Sequence, residues 1–194
     1  IFCRDTKLNL SPYYLKPGFS FGGSCLPKDV RALTYRARTL DLDLPILNAI
    51  LPSNDLQTQR GLDMIMKAPG KSVGVLGFSF KAGTDDLRES PIVELIERLI
   101  GKGYRVRLFD RNVNLARLVG ANRDYINKHI PHIAELMMGS PQEVIDYSDI
   151  VVIGNNDPEF SRLIGALRPE QHVVDLVRAI DGRRTDPAYE GICW

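Results

Sequence analysis

Residues 72–110 read SVGVLGFSFKAGTDDLRESPIVELIERLIGKGYRVRLFD, and they determine the class of the fold. The apolar, β-branched runs at 72–77 and 105–110 are typical of short buried strands. Between them, Ser90 and Pro91 form an N-cap and first-turn pair for a helix. The apolar face of that helix consists of Ile92, Leu95, Ile96, Leu99 and Ile100. A strand, a helix and a second strand in this order predict two neighbouring parallel strands.

The same alternation continues towards the C-terminus. Further strands are predicted at 149–154 and 172–177, with a short helix at 141–147 before the third strand. The sequence therefore predicts an α/β fold with a doubly wound parallel sheet. The turn APGK at 68–71 precedes the first strand. We accordingly expect this sheet domain to extend from 71 to 194.

Residues 1–70 are predicted to form a separate, mainly helical unit. Its first 24 residues are rich in glycine and proline and predict a loop, and helices are predicted at 27–40 and 45–67. Pro52 is expected to kink or split the second helix, with the serine or asparagine that follows capping the second piece. The candidate core residues are Val30, Leu33, Thr34, Ala37, Leu40, Ile46, Leu47, Ile50, Leu51, Leu62, Ile65 and Met66.

The composition excludes several classes of protein. The 194 residues are 44% hydrophobic and 25% charged, as in ordinary globular domains. A formal net charge of +1 creates no broad field for nucleic acid or for an anionic membrane, so neither is predicted as a partner. The longest apolar run, at 73–78, is far shorter than the roughly 20 residues that span a bilayer.

The termini and the cysteines bear on cellular context. The chain begins with Ile1 and shows no signal-peptide pattern, which predicts a piece of a longer polypeptide. Cys3, Cys25 and Cys193 fit neither a disulfide framework nor a zinc motif, so a cytoplasmic location is predicted. The histidines of the segment HIPH at 129–132 are predicted to lie on a helix surface, and no metal site is expected.

The segment GFSFGGSCLPKD at 18–29 is the first candidate site. A glycine-rich loop delivers Cys25 to the start of a helix that begins near Pro27. The positive end of a helix and a nearby Lys28 stabilise a thiolate, which makes Cys25 a candidate nucleophile. The alternative interpretation is a small buried apolar cysteine in a chain turn.

The segment GFSFKAGTDDLRESP at 77–91 is the second candidate site. It leaves the carboxyl end of the first strand, where doubly wound folds bind ligands. Lys81 and Arg88 provide cationic hydrogen-bond donors for a phosphate or pyrophosphate. The acidic residues Asp85, Asp86 and Glu89 are candidates for orienting those cations. The alternative is a charged surface loop whose ion pairs contribute little.

The sheet domain lacks the usual dinucleotide fingerprint. Gly74 and Gly77 stand in GVLG without the third glycine of G-x-G-x-x-G, so this sheet is not predicted to be the main cofactor domain. Asp110 ends the second predicted strand, where a carboxylate either reaches a ribose or, before Arg111 and Asn112, caps a helix. We favour the cap.

The two segments at 18–29 and 77–91 together resemble the UDP-glucose/GDP-mannose dehydrogenase family across its central and C-terminal portions. The resemblance implies a Rossmann-like C-terminal domain, a separate N-terminal NAD-binding domain outside this chain, and no turnover by this chain alone. It also implies that Cys25 attacks an aldehyde formed by a first hydride transfer to NAD. The resulting thiohemiacetal is oxidised to a thioester, which water hydrolyses, with two NAD reduced per sugar.

The family motifs assign further residues by resemblance. Asp29 matches the aspartate that assists water and proton handling, although its place in the first helical turn equally suits a capping role. Lys28 and Arg88 match positions that face NAD. The nucleotide-sugar residues implied are Tyr13, Tyr14, Lys16, Phe19, Gly22 and Lys81.

The resemblance also implies a homodimer with a shared active site, in which the helices between 27 and 67 form much of the interface. SPYYLKPGF and EGICW favour GDP-mannose as the nucleotide sugar, for the synthesis of an alginate-type polysaccharide precursor. Lys16 stands where arginine is expected, which preserves the charge and loses the bidentate fork. Two alternatives remain open: a dehydrogenase of UDP-glucose or another UDP-sugar, and a catalytically silent nucleotide-sugar-binding dimerisation module.

Overall fold

Two helices precede the sheet in the computed structural model, which describes residues 4, 5, 7, 18–163, 167–179 and 188–192. Helix α1 spans Leu26–Arg38 and helix α2 spans Pro45–Lys67. Pro52 lies within α2 without dividing it, so of the two expected outcomes, a kink or a split, the split is wrong. Proline removes only one helical N–H, and the flanking turns retain their own hydrogen bonds. Asn54 therefore caps no second helix, and its side chain hydrogen-bonds the Phe21 backbone instead.

Five parallel strands form one sheet, which confirms the predicted fold class. The strands are β1 Ser72–Leu76, β2 Arg105–Phe109, β3 Ile150–Ile153, β4 His172–Asp175 and β5 Tyr189–Gly191. Their order is β2-β1-β3-β4-β5, with Val75 paired to Leu108 on one side and to Val152 on the other. The order reverses between β1 and β3, as in other doubly wound sheets. The short edge strand β5 was not predicted.

Helices cover both faces of the sheet. They are α3 Pro91–Gly101, α4 Gly120–His129, α5 Ile133–Leu136, α6 Pro141–Tyr147 and α7 Pro158–Leu163. The helix predicted at 141–147 is confirmed. Helix α3 begins at Pro91 as predicted, but the Ser90 hydroxyl donates to the Phe78 carbonyl (2.9 Å) rather than to a helix amide. Ser90 therefore connects the start of α3 to the loop that follows β1.

Two apolar clusters lie on opposite faces of the sheet. One joins the inner faces of α2 and α3 to the sheet and includes Leu62, Ile65, Leu95, Ile96 and Leu99. The other packs Val144 of α6 and Phe160 of α7 against the strand residues Leu76, Val151 and Ile153. The strands β1 and β3 are consequently buried along their whole length, as expected for a sheet covered on both faces.

Several predicted core positions of the helices expected at 27–40 and 45–67 are exposed. Leu33 and Leu40 are each 52% exposed, Ile46 is 83% exposed and Met66 is 40% exposed, so their assignment to the core is wrong. The buried residues of α1 are Pro27, Val30 and Ala37, because only that narrow side meets the rest of the chain. Across the described part of the chain, every helix is too short or too polar to cross a bilayer.

Candidate functional site

Cys25 lies at the N-cap position of α1. Its carbonyl accepts the first helical hydrogen bond, from the Asp29 amide (2.9 Å), and its thiol is exposed. The Ser24 hydroxyl lies 3.8 Å from the Cys25 sulfur. The unpaired N–H groups of a helix N-terminus favour a nearby negative charge. The structure therefore supports the accessible thiol of the sequence prediction over the buried alternative.

A polar stripe on α2 holds the glycine-rich loop that leads to Cys25. The Phe21 amide donates to the Asn54 side-chain oxygen (2.8 Å), and the Asn54 side-chain nitrogen donates back to the Phe21 carbonyl (3.0 Å). One turn further on, the Thr58 hydroxyl donates to the Ser20 hydroxyl (2.8 Å). Gln57 donates to the Gly18 carbonyl (2.8 Å). Positions 54, 57 and 58 share one helix face, so hydrogen bonds from α2 hold the loop at Gly18, Ser20 and Phe21.

The same loop packs against the second candidate segment. A Cβ on Gly22 would collide with the Glu89 carbonyl oxygen and would lie 2.7 Å from Pro91 Cδ. Gly23 has φ +87°, and a Cβ there would lie 3.0 Å from the Phe80 ring. Glycine alone permits both the close approach and the left-handed backbone. The structure thus brings together the two segments that the sequence analysis selected separately.

Arg88 is oriented by Asp86, as the sequence suggested. Its Nε and Nη2 donate to the two Asp86 carboxylate oxygens (2.9 and 2.8 Å). The Arg88 guanidinium holds the pKa of Asp86 below its usual value. The pKa of Arg88 is raised, chiefly by the hydrogen bond to Asp86 and in smaller part by the charge of Cys25. The two hydrogen bonds to Asp86 therefore set the direction of the Arg88 guanidinium.

The acidic residues of this segment were expected to orient Lys81 and Arg88. Glu89 instead pairs with a residue outside the segment. Both of its carboxylate oxygens accept hydrogen bonds from Arg31 on α1 (2.9 and 2.6 Å). The Arg31 pKa is raised by this pairing. Glu89 also has φ +49°, a left-handed conformation that is uncommon outside glycine. Sequence reasoning missed Arg31 because its partner lies 58 positions away.

A cleft of about 250 Å³ adjoins this pair and is lined in part by Phe21, Pro27 and Tyr125. Burial, together with the charges of Glu89 and other nearby glutamates, raises the pKa of Tyr125 to about 12. The phenol is therefore neutral at physiological pH. Its ring lies against His129, with 4.3 Å between ring centroids.

Lys28 and Asp29 lie on the exposed side of the first turn of α1. Their side chains form an ion pair of 3.3 Å, with 63% and 66% of their surfaces exposed. The Lys28 charge is thus partly balanced by Asp29. Lys81 is also exposed, and its carbonyl accepts a hydrogen bond from the Ser79 hydroxyl (3.1 Å). These three charged residues remain open to solvent and hence to a ligand.

The predicted substrate residues fall into three groups. Phe19 is partly buried against the core and faces Gly61. A Cβ added at Gly61 would lie 2.7 Å from the Phe19 ring. Gly22 has the packing role described above, and Lys81 lies at the surface. Tyr13, Tyr14 and Lys16 lie outside the described residues.

Asp110 is not the helix cap that the sequence favoured. It is 3% exposed, and one carboxylate oxygen accepts from the Phe78 amide (3.1 Å), the Ser79 amide (3.1 Å), the Ser79 hydroxyl (2.8 Å) and the Asn155 side chain (3.1 Å). The other oxygen accepts from the Asn112 amide (3.0 Å). Asp110 turns inward because the loop after β1 presents several amides at the same edge of the sheet. It thereby anchors the start of the segment that carries Lys81 and Arg88.

Among the described residues, no three histidine, cysteine or acidic side chains are grouped as metal ligands. His129 hydrogen-bonds Glu97 (2.8 Å) on the surface of the domain. This contact accounts for His129 without a metal.

Comparison with protein families matches both candidate segments. Residues 74–182 match the UDP binding domain of the UDP-glucose/GDP-mannose dehydrogenase family, and residues 1–56 match the central domain of that family. The chain belongs to the UDP-glucose/GDP-mannose dehydrogenase family. The family resemblance seen in the two sequence segments is thereby confirmed.

Individual members of the UDP-glucose/GDP-mannose dehydrogenase family show how far the similarity extends. The GDP-mannose 6-dehydrogenase of Pseudomonas aeruginosa is 54% identical over 194 residues, which is 100% of this chain and 44% of that protein. A crystal structure of a ternary complex of GDP-mannose dehydrogenase from P. aeruginosa matches with a TM-score of 0.87 at 54% identity, covering 99% of this chain and 44% of that one. The UDP-glucose dehydrogenase of Pyrobaculum islandicum matches with a TM-score of 0.75 at 28% identity, covering 95% of this chain and 40% of that one. The chain thus spans less than half the length of these relatives.

Proposed function

We propose that this chain is the C-terminal part of an NAD-dependent nucleotide-sugar 6-dehydrogenase that oxidises GDP-mannose to GDP-mannuronate. The observation that carries the proposal is the exposed Cys25 at the N-terminus of α1, beside the segment that holds Arg88 and Lys81. A nucleophile next to cationic donors suits an anionic substrate that carries a carbonyl group. The choice of sugar rests on the 54% identity to GDP-mannose 6-dehydrogenase over the whole chain, against 35% over 77% of the chain to a UDP-glucose 6-dehydrogenase. The product would serve an alginate-type polysaccharide.

In the proposed reaction, Cys25 retains the sugar between two oxidations. The thiolate attacks the carbonyl carbon of the C6 aldehyde, a carbon–sulfur bond forms, and the oxygen takes a proton to give a thiohemiacetal. After the second oxidation the sugar is a thioester, and water cleaves the carbon–sulfur bond to release the carboxylate and the thiol. Asp29 lies one helical turn from Cys25 and is the proposed group for accepting the proton of that water.

NAD supplies the hydride acceptor in each of the two oxidations. The sheet of this chain does not fit the cofactor as a cradle, because a Cβ on Gly74 would lie 2.6 Å from Val144 Cγ1 on α6 and a Cβ on Gly77 would collide with the Asn155 side chain, so both glycines face packed protein. Neither glycine is open to a pyrophosphate. Lys28, which is exposed, and Arg88, which is partly exposed, do fit as cations that would bind the cofactor pyrophosphate. We propose that the rest of the cofactor site lies in the part of the relatives that this chain does not span.

We further propose a homodimer that shares the active site. Its support is the set of exposed apolar side chains on α1, on the linker after it and at the start of α2, namely Leu33, Tyr35, Leu40, Leu42 and Ile46, which are 52–83% exposed. Exposed apolar side chains of this size suit burial against a second subunit. A loop supplied by the partner would bring the proposed substrate residues Tyr13, Tyr14 and Lys16 to the site.

The test is the number of NADH molecules formed per nucleotide sugar by a chain of the relatives' full length. We expect two NADH per GDP-mannose and none with UDP-glucose. Two NADH from UDP-glucose alone would support the two-step mechanism but refute GDP-mannose as the substrate. No NADH with any nucleotide sugar would refute the dehydrogenase proposal. Cys25→Ser should lower turnover by at least about 10³-fold. Cys3→Ser is the control for loss of a thiol elsewhere in the chain.

A further inference from the structure

The Arg31–Glu89 pair connects the helix that carries Cys25 to the segment that carries Arg88. Arg31 lies six residues after Cys25 on α1, and Glu89 directly follows Arg88. The Arg31 Nη1 and Nη2 atoms donate to Glu89 Oε2 and Oε1 at 2.9 and 2.6 Å. A bidentate pair between a planar guanidinium and a carboxylate fixes orientation as well as distance. A rotation of α1 against the segment would strain this two-bond geometry.

The backbone of Glu89 is constrained at the same point. Its φ of +49° lies in the left-handed region, which a residue with a side chain occupies only when its surroundings impose it. The Glu89 carbonyl touches Gly22 so closely that any side chain at position 22 would collide with it. Next along the chain, the Ser90 hydroxyl is bonded to the Phe78 carbonyl (2.9 Å). Glu89 is thus held through its side chain, its carbonyl and its neighbour.

These restraints act on the two groups proposed to meet the substrate and the cofactor. Gly22 lies three residues before Cys25, and Arg88 is the residue before Glu89. The close contact between Gly22 and the Glu89 carbonyl therefore joins the loop that leads to Cys25 to the backbone next to Arg88. The Arg31 and Glu89 side chains are 51% and 37% exposed, and ion pairs this exposed contribute little to stability. Loss of the pair is therefore expected to change the free energy of unfolding little.

We propose that Arg31 and Glu89 are positioning residues, which set the Cys25 thiol against the Arg88 guanidinium for the dehydrogenase reaction. The proposal rests on the proposed function, because it assumes that Cys25 is the nucleophile. Neither side chain has to touch the substrate. Each acts through the segment that it holds, and the two act as one unit.

The test uses Arg31→Gln, Glu89→Gln and the double variant in a chain of the relatives' full length. We expect kcat to fall about 10- to 100-fold in each single variant, since small misplacements of reacting groups cost about that much. The KM for the nucleotide sugar should change less than about threefold, because its binding residues remain. The double variant should be no slower than the slower single variant, as expected for residues that act as one unit. Arg36→Gln is the matched control. Arg36 lies on the same helix, and among the described residues its guanidinium hydrogen-bonds only the Thr39 hydroxyl (3.4 Å).

A second readout separates positioning from a general loss of structure. The rate at which iodoacetamide alkylates Cys25, followed by peptide mass spectrometry, should fall in both single variants and stay unchanged in Arg36→Gln. The charge-swapped pair Arg31→Glu with Glu89→Arg should recover at least tenfold in kcat over Arg31→Glu alone. Single variants with kcat within twofold of wild type, or a double variant whose losses multiply, would overturn the proposal.

The Cys25→Ser variant distinguishes a failure of the proposed function from a failure of the positioning role alone. If it retains turnover, the proposed function fails, and the positioning role fails with it. If it abolishes turnover while the Arg31 and Glu89 variants behave as wild type, only the positioning role is wrong.

Discussion

Replacing Asp110 with alanine should destabilise the sheet domain strongly. The carboxylate is 3% exposed and accepts hydrogen bonds from the buried amides of Phe78 and Ser79, both at 3.1 Å. Two other donors to the same oxygen have a second acceptor, since the Ser79 hydroxyl also reaches the Lys81 carbonyl (3.1 Å) and Asn155 also reaches that hydroxyl (3.2 Å). The two amides show no second acceptor among these contacts.

The magnitude follows from those two amides. A buried donor left without a partner costs about 1–3 kcal/mol, so Asp110→Ala should lower the free energy of unfolding by about 2–6 kcal/mol. That loss is a large part of the roughly 5–15 kcal/mol typical of a whole domain. Asp110→Asn retains an oxygen for the two amides and directs its NH₂ group at the Asn112 amide, so its loss should be about 1–3 kcal/mol.

Urea unfolding followed by far-ultraviolet circular dichroism measures these differences by linear extrapolation. Asp124→Ala is the matched control, because Asp124 is exposed on α4, and it should change the free energy of unfolding by less than about 0.5 kcal/mol. A loss below about 1 kcal/mol in Asp110→Ala would show that the carboxylate is not the anchor of this loop. The reasoning about how the Lys81 segment is held would then be refuted.

Two further predictions concern packing and pH. Gly61→Ala should lower the melting temperature, because its Cβ would lie 2.7 Å from the Phe19 ring, and overpacking costs about 1–3 kcal/mol. Alanine is otherwise the better helix residue by about 1 kcal/mol, so a rise in melting temperature would contradict the packing. Hydrogen bonds from Ser72 lower the folded-state pKa of Asp149, so its stabilisation is present above the unfolded value of about 3.9 and is lost as pH falls through the folded value. Urea unfolding should therefore separate Asp149→Asn from wild type near pH 7 and show convergence in acid, and a gap independent of pH would refute the assignment.

Local sequence determined the elements and one candidate site. Strands β1 and β3 and helices α3 and α6 follow from runs and periods within a single segment, bounded by residues such as Ser90 and Pro141. Cys25 was likewise recognisable, because the glycines before it and Pro27 after it place it at a helix N-terminus. Each of these inferences depends on neighbours a few positions apart, which interact in any fold that contains the element.

Tertiary structure decided the remaining features. Pro52 leaves α2 whole, and Asn54 bonds Phe21, which lies 33 positions away, instead of capping a helix. Glu89 pairs with Arg31 at a separation of 58 positions, and β5 exists only by pairing with β4. A polar side chain has many possible partners along a chain, and its own segment contains no signal of which partner the fold brings near. The residues that hold the candidate site together therefore become identifiable only once the sheet and the two preceding helices are packed.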